Sequence, residues 1–315
     1  MNRPIALLAA APLAVVALTL AACGSSARDP NAAGRLPDGG AAATSDFVPS
    51  EAGPASADGG VCPNVDVLFV VDNSGSMADK QARLAQSFPG FAAALQKRLP
   101  AARSVHVGVV STSAYYAGAP QECLIRKTEG PASSASQCLP AGAFLTTTES
   151  DFASRFACVA KVGAGGDDDE TPMKSLLGAL SDKTNAPSGC NAGFSRRDAL
   201  LIVVVITDED DVRESDCDPT TFSGTCGSGG DPDAWAQTVI AHKGGHKENV
   251  LVLSLVSKKS GDCSNVIGAN VSAFTHRFGQ NGFVGDVCSA TYDKFFEDAL
   301  PLFDQACTTF VPPPK

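Results

Sequence analysis

The sequence predicts an α/β fold, a doubly wound and mainly parallel sheet flanked by helices, and three observations carry that expectation. Apolar runs of strand length stand at residues 65–71, 200–206 and 250–256. Segments with an apolar side chain at every third or fourth position separate them. Asp72-Asn73-Ser74-Gly75-Ser76 directly follows the first run, at the end of a strand where doubly wound sheets bind their ligands. Runs that are apolar throughout suit strands covered on both faces, and strands alternating with helices imply parallel order.

Residues 65–71 read as the first strand. Leu84, Phe88, Phe91, Leu95 and Leu99 then form one apolar helical stripe, which Pro89 should kink or divide. Residues 105–110 make the next strand and 144–147 an edge strand. Residues 151–161 form a helix with Phe152, Phe156 and Val159 inward, and 172–180 a helix opened by proline at its first position. Residues 200–206, mostly β-branched, are the natural central strand. Residues 231–242 give a helix that Gly244 and Gly245 end, and 250–256 a further buried strand. Residues 271–278 and 292–305 complete the domain, the latter with Phe295, Phe296, Leu300 and Phe303 on one helical face despite Pro301.

Residues 114–142 and 209–230 fall outside the alternation and read as loop insertions constrained by disulfides. The pairings expected are Cys123 with Cys138, Cys217 with Cys226, and Cys62 with Cys307, although sequence alone leaves ten-cysteine connectivity open.

Residues 1–22 have the layout of a secretory signal, with Arg3 ahead of an apolar stretch that ends in small residues. Their end, Leu20-Ala21-Ala22-Cys23, resembles the lipobox of bacterial lipoproteins, in which the cysteine becomes the lipidated first residue. The count agrees: 11 cysteines is odd, and giving Cys23 to lipid leaves ten to pair in an oxidising compartment. Residues 23–61 carry almost no large apolar side chains and read as a disordered tether. The folded domain is then 62–309, with a short tail at 310–315. Gly24 stands where inner-membrane retention often has Asp, so the expected address is the cell envelope, at the outer membrane of a two-membrane cell.

Formal net charge is −10, and losing the single positive charge of Arg3 makes it −11. Such a surface repels nucleic acid and anionic bilayers. There is no CxxC pair, HExxH, G-x-S-x-G elbow or Walker A loop. His242 and His246 are separated by two glycines that break the helix between them, and His106 and His276 are isolated. The expectation is a binding protein rather than an enzyme.

Asp72, Ser74 and Ser76 offer hard oxygen donors of the kind Mg²⁺, Ca²⁺ or Mn²⁺ prefers, with Gly75 expected to permit the tight turn. The pattern Asp-x-Ser-x-Ser after the first strand resembles the von Willebrand factor type A family, whose metal-ion-dependent adhesion site begins that way. The resemblance implies two further ligands. They are Thr171, in Asp169-Glu170-Thr171-Pro172, and Asp208, in Ile206-Thr207-Asp208. It also implies an open coordination position for an acidic side chain of a partner protein, extracellular or in the envelope. The alternatives are a metal that only stabilises the fold while the insertions carry the interaction, and a metal-assisted hydrolase. Asp167, Asp168, Asp169, Glu170, Glu209, Asp210 and Asp211 crowd the same place, as solvated loops, a second Ca²⁺ site, or occupants of the open position.

Overall fold

The computed structural model describes residues 62, 64–98, 102–113, 120–127, 137–139, 142–166, 170–213 and 227–313. The expected signal, Cys23 and the tether lie outside them, as do Cys217 and Cys226 and most of both insertions. No helix among the described residues is long and apolar enough to cross a membrane.

Six strands form one sheet: β1 (Asn64–Val71), β2 (Ser104–Ser111), β3 (Leu145–Thr146), β4 (Leu200–Ile206), β5 (Val250–Val256) and β6 (Gly282–Asp286). Their order is β3-β2-β1-β4-β5-β6. All neighbours are parallel except β3, which pairs antiparallel with β2 at the edge. The alternating side chains of β1 and β4 enter two cores, Val67, Phe69, Ile202 and Val204 on one face and Leu68, Val70, Val203 and Val205 on the other.

The first face is covered by α1 (Ala78–Arg98), α2 (Phe152–Val159) and α7 (Asp293–Thr309). Phe69 anchors it, its ring centroid 5.7 Å from Phe88, 5.8 Å from Phe91 and 4.9 Å from Phe156. Helix α1 runs through Pro89 without interruption, so of the kink or division expected there the division does not occur. Leu84, Phe88, Phe91, Ala92 and Leu95 are all buried, and burying each large side chain is worth about 1.5–3 kcal/mol, comparable to the ~3 kcal/mol a helical proline costs. On the second face lie α3 (Pro172–Leu180), α5 (Pro232–His242) and α6 (Ala269–His276), with the single turn α4 (Asp182–Asn185) after α3.

Strand β6 has no counterpart among the expected elements. Its glycines resemble turn signals in sequence but serve close packing. A Cβ on Gly285 would stand 2.3 Å from Phe295 Cδ2, and one on Gly282 2.1 Å from the Thr275 carbonyl oxygen.

Cys62 pairs with Cys307, as expected. Cys123 does not pair with Cys138: it joins Cys190, and Cys138 joins Cys158, with Cα separations of 5.6 and 5.7 Å. The reason is local. Asn191 accepts from Leu124 N at 2.8 Å and donates to Glu122 O at 2.8 Å, which draws Cys123 to Cys190. Cys138 N donates to Arg126 O, placing Cys138 over α2. The first insertion is therefore stapled to neighbouring segments rather than closed on itself. A fourth disulfide, Cys263–Cys288, was not anticipated.

The apolar run of β1 contains one charge, Asp66, fully buried. Its carboxylate accepts from Arg196 N at 2.6 Å and from Arg196 Nε and Nη2 at 2.8 and 2.6 Å, while Lys243 Nζ donates to Arg196 O at 2.6 Å. Burial raises Asp66 to about 6 even though Arg196 pulls it down. A carboxyl raised on folding gives its full stability below its unfolded value of about 3.8 and loses it as pH rises through about 6. Urea melts should therefore show a stability loss of about 1–3 kcal/mol between pH 4 and 6. An Asp66→Asn chain, less stable overall, should lack that slope.

Candidate metal site

The strand order reverses between β1 and β4, so the connections leaving their carboxyl ends diverge to opposite faces and open a crevice. Val71 pairs with Ile206, and Asp72 N donates to Ile206 O at 2.9 Å, so Asp72 and Asp208 emerge side by side there.

Four of the expected residues form one chain of contacts. Asp72 Oδ1 accepts from Ser74 N at 2.7 Å, the Ser74 and Ser76 hydroxyls lie 2.9 Å apart, and the Ser76 hydroxyl donates to Asp208 Oδ1 at 2.8 Å. Asp72 Oδ2 accepts from the Thr207 hydroxyl at 2.7 Å. Asp72, Ser74 and Asp208 are buried, whereas Ser76 is exposed. Burial raises Asp72 above the ordinary carboxylate range. The Ser74 and Thr207 hydrogen bonds oppose that rise and the Asp208 charge adds to it.

Thr171 sits beside these residues rather than among them. Its hydroxyl donates to Thr112 O at 3.1 Å and accepts from Gln121 Nε2 at 2.7 Å. The side chain of that loop that feels Asp72 is Glu170. It is 3% exposed, and neither carboxylate oxygen makes a well-formed hydrogen bond, weaker contacts with the Thr112 and Asp72 side chains being all that meets it. Burial, then the Asp72 charge, push it up to about 10. The sequence named Glu170 only as one of seven surplus acids.

A second unanticipated residue is Lys80, from the first turn of α1. Its ammonium contacts Asp208 Oδ2 at 2.9 Å and donates to Ser76 O at 2.9 Å, with its side chain only 4% exposed. The charge of Asp208 is thus already half satisfied from within the chain.

Asn73 ties the crevice together. Its Oδ1 accepts from Ser113 N and Oγ at 3.2 and 3.0 Å, and its carbonyl accepts from Gly166 N at 2.7 Å. The Gln81 side chain bridges the Asp72 and Gly163 carbonyls and accepts from Gly163 N. The glycine required here is Gly166, whose Cβ would stand 2.4 Å from Asn73 Nδ2 and 2.7 Å from Asn73 O. Gly75, expected to allow the tight turn, has no positive φ and open space where a Cβ would go. Gly75→Ala should leave the melting midpoint within about 0.5–1 kcal/mol of wild type, on the stabilising side, whereas Gly166→Ala should lose about 1–3 kcal/mol; parallel denaturant melts check both.

Asp210 and Asp211 are spoken for. Asp210 accepts from Asn270 N and Val271 N at the start of α6, at 3.0 and 3.2 Å. Asp211 accepts from Met173 N at the start of α3 at 2.9 Å and from Ser228 N and Oγ at 2.8 and 2.6 Å. They cap two helices from a neighbouring loop and complement their dipoles. Residues 167–169 lie outside the described residues.

Among the described residues no three His, Cys, Asp or Glu side chains make a ready-assembled metal cluster. The donor set instead mixes carboxylates with hydroxyls, and the poorly satisfied Glu170 oxygens are what a hard divalent cation would satisfy. His242, outside this site, lines a cavity of about 300 Å³ and lies 2.7 Å from the Ser195 hydroxyl. His106 stacks on Phe144 and contacts Phe194 O at 2.9 Å.

No family model matches the sequence, and no curated protein does. Among solved structures the chain is similar to the pilus adhesin SpaC from Lactobacillus rhamnosus GG in its open conformation. Identity is 14% and the TM-score 0.41, over 78% of this chain and 30% of that one. It is also similar to proximal thread matrix protein 1 from the mussel byssus with a zinc-occupied MIDAS motif, at 14% identity and TM-score 0.40, over 79% and 47%. A von Willebrand factor type A structure from Catenulispora acidiphila matches at 13% identity and TM-score 0.36, over 75% and 42%. The chain spans less than half the length of each. The doubly wound sheet, with the Asp72–Asp208 crevice at the point where its strand order reverses, is the mainly parallel α/β fold that the sequence predicts.

Proposed function

We propose that this chain is an envelope-anchored binding module that holds a divalent cation at Asp72, Ser74, Ser76 and Asp208, with Thr171 and Glu170 on the third side, and engages a protein partner there. The observation that supports this most is the buried Glu170 carboxyl, beside Asp72 and without a well-formed hydrogen bond. Leaving such a group unsatisfied costs about 1–3 kcal/mol. Oxygen donors of this kind favour Mg²⁺, Ca²⁺ or Mn²⁺. When bound, the cation supplies a Lewis-acidic centre on which a partner carboxylate can sit.

The chain's own residues prepare that centre. Thr207 orients Asp72, Lys80 and Ser76 orient Asp208, and Asn73 fixes the loops that carry them. Ser76 is the exposed member of the set, on the side from which a partner would approach. Lipidation at Cys23 would present the domain at the end of the 23–61 tether. Binding rather than catalysis is assigned to it.

Immobilised mature protein should retain its partner from an envelope extract in Ca²⁺ or Mg²⁺ and release it on chelation, with the domain still folded at the working temperature. Retention in excess chelator would favour the insertions as the contact surface and count against this reading.

A further inference from the structure

Lys80 is held in the crevice by more than its ion pair. Its ammonium has three protons, and each is met: Asp208 Oδ2 at 2.9 Å, Ser76 O at 2.9 Å and Asp79 Oδ1 at 3.4 Å. Two of those partners belong to its own stretch of chain, so its place does not depend on Asp208 alone. Its side chain is 4% exposed, which leaves it no route to water without losing all three contacts. Asp79 is held in turn by Arg83, which also donates to Ser289 O at 2.8 Å. Opposite charges therefore alternate from Asp208 through Lys80 and Asp79 to Arg83, and the last is tied to the segment after β6.

The serines beside Lys80 keep lone pairs for a cation. The single proton of the Ser76 hydroxyl goes to Asp208 Oδ1, so Ser74 is the donor in the contact between the two hydroxyls. What a divalent cation meets at Asp208 is a like charge, 2.9 Å from one of the two carboxylate oxygens. The same charge has a second effect. With Asp72, Asp208 and Glu170 all ionised, a divalent cation alone would leave the crevice one negative charge in excess, and the Lys80 ammonium cancels it.

We propose that Lys80 is a resident counter-cation that shares Asp208 with the divalent cation and sets the affinity of the site. Like-charge repulsion weakens metal binding, while the occupied crevice carries no excess negative charge against an approaching carboxylate. The inference rests on the metal-binding reading above and names the residue that tunes it. Lys80 offers the metal no donor atom, so it is a positioning residue and not a ligand.

Isothermal titration of the full chain with Ca²⁺, as wild type, Lys80→Gln, Lys80→Arg and Arg83→Gln, tests this. Glutamine removes the charge and keeps a donor for Asp208 and Ser76 O. K80Q should bind Ca²⁺ about tenfold or more tightly than wild type, and its melting temperature should rise more than that of wild type at the same Ca²⁺ concentration. Lys80→Arg, which keeps the charge, should show no such gain. Arg83→Gln, which removes a charge one helical turn further from Asp208, should change the affinity by less than about threefold. A second measurement needs no variant. Acetylation of Lys80 by N-hydroxysuccinimide acetate, followed by mass spectrometry, should be equally slow with and without Ca²⁺, because the ammonium stays in place when the metal enters. Wild type that binds Ca²⁺ with K80Q no tighter, a gain of equal size in K80R or R83Q, or faster acetylation of Lys80 once Ca²⁺ is bound would overturn the proposal and leave the metal reading standing. Binding absent from wild type and K80Q alike would overturn both.

Discussion

Asp208→Ala should produce the largest change of any single substitution at the crevice, because it acts on two quantities at once. Without metal it leaves the Lys80 ammonium, 4% exposed and 2.9 Å from the lost oxygen, with the Ser76 carbonyl and the exposed Asp79 as its remaining partners. Removing one member of a buried ion pair typically costs 3–5 kcal/mol, so the metal-free melt should shift by about that amount. With metal, wild type should gain about 2.7 kcal/mol at a cation concentration a hundredfold above its dissociation constant, and the variant nothing. Differential scanning calorimetry with and without Ca²⁺ reads both effects. An Asp208→Ala chain that melts like wild type in chelator would refute the Lys80 pair as a stabilising contact.

Glu170→Gln should move the same two readouts in opposite directions. The glutamine keeps the shape of the side chain and removes a carboxyl whose ionisation burial and Asp72 oppose. Glu170 is raised from 4.5 to about 10, so its contribution to folding is fully present below about 4.5 and is lost progressively as pH rises toward 10. At pH 7.5 in chelator the Gln variant should therefore be more stable than wild type by about 1–3 kcal/mol, with the difference vanishing near pH 4.5. In saturating Ca²⁺ the order should narrow or reverse, because the variant gives up a charged donor. A variant less stable than wild type in chelator at pH 7.5 would show that Glu170 has a strong partner after all.

Most of the fold was legible because the apolar runs at 65–71, 200–206 and 250–256 and the helical stripes are long and periodic. What escaped were features whose sequence signal points elsewhere. β6 hides behind Gly282 and Gly285, which look like turn residues but are required by the close approach of Thr275 and Phe295. Pro89 marks a break that the buried stripe of α1 overrides.

The site was legible in its backbone and not in its charges. Asp72, Ser74, Ser76 and Asp208 come together as the motif order implies. Thr171 instead turns to Thr112 and Gln121, and its neighbour Glu170 faces Asp72. A run such as Glu209-Asp210-Asp211 reads as surplus acid because sequence cannot say which helix ends lie nearby. In three dimensions Asp210 and Asp211 cap α6 and α3. Lys80 carried no signal, since a lysine early in an amphipathic helix is ordinarily solvated. Asp66 was masked by the apolar residues around it, and only the return of residue 196 to the base of β1 reveals its partner.

The Asp72–Asp208 crevice is expected to bind one divalent cation. Isothermal titration of the full chain with Ca²⁺ and with Mg²⁺ at pH 7.5 tests it most directly. A single saturable site in wild type, absent in Asp72→Ala, is the predicted result. No binding in wild type, or binding that Asp72→Ala leaves unchanged, would contradict it.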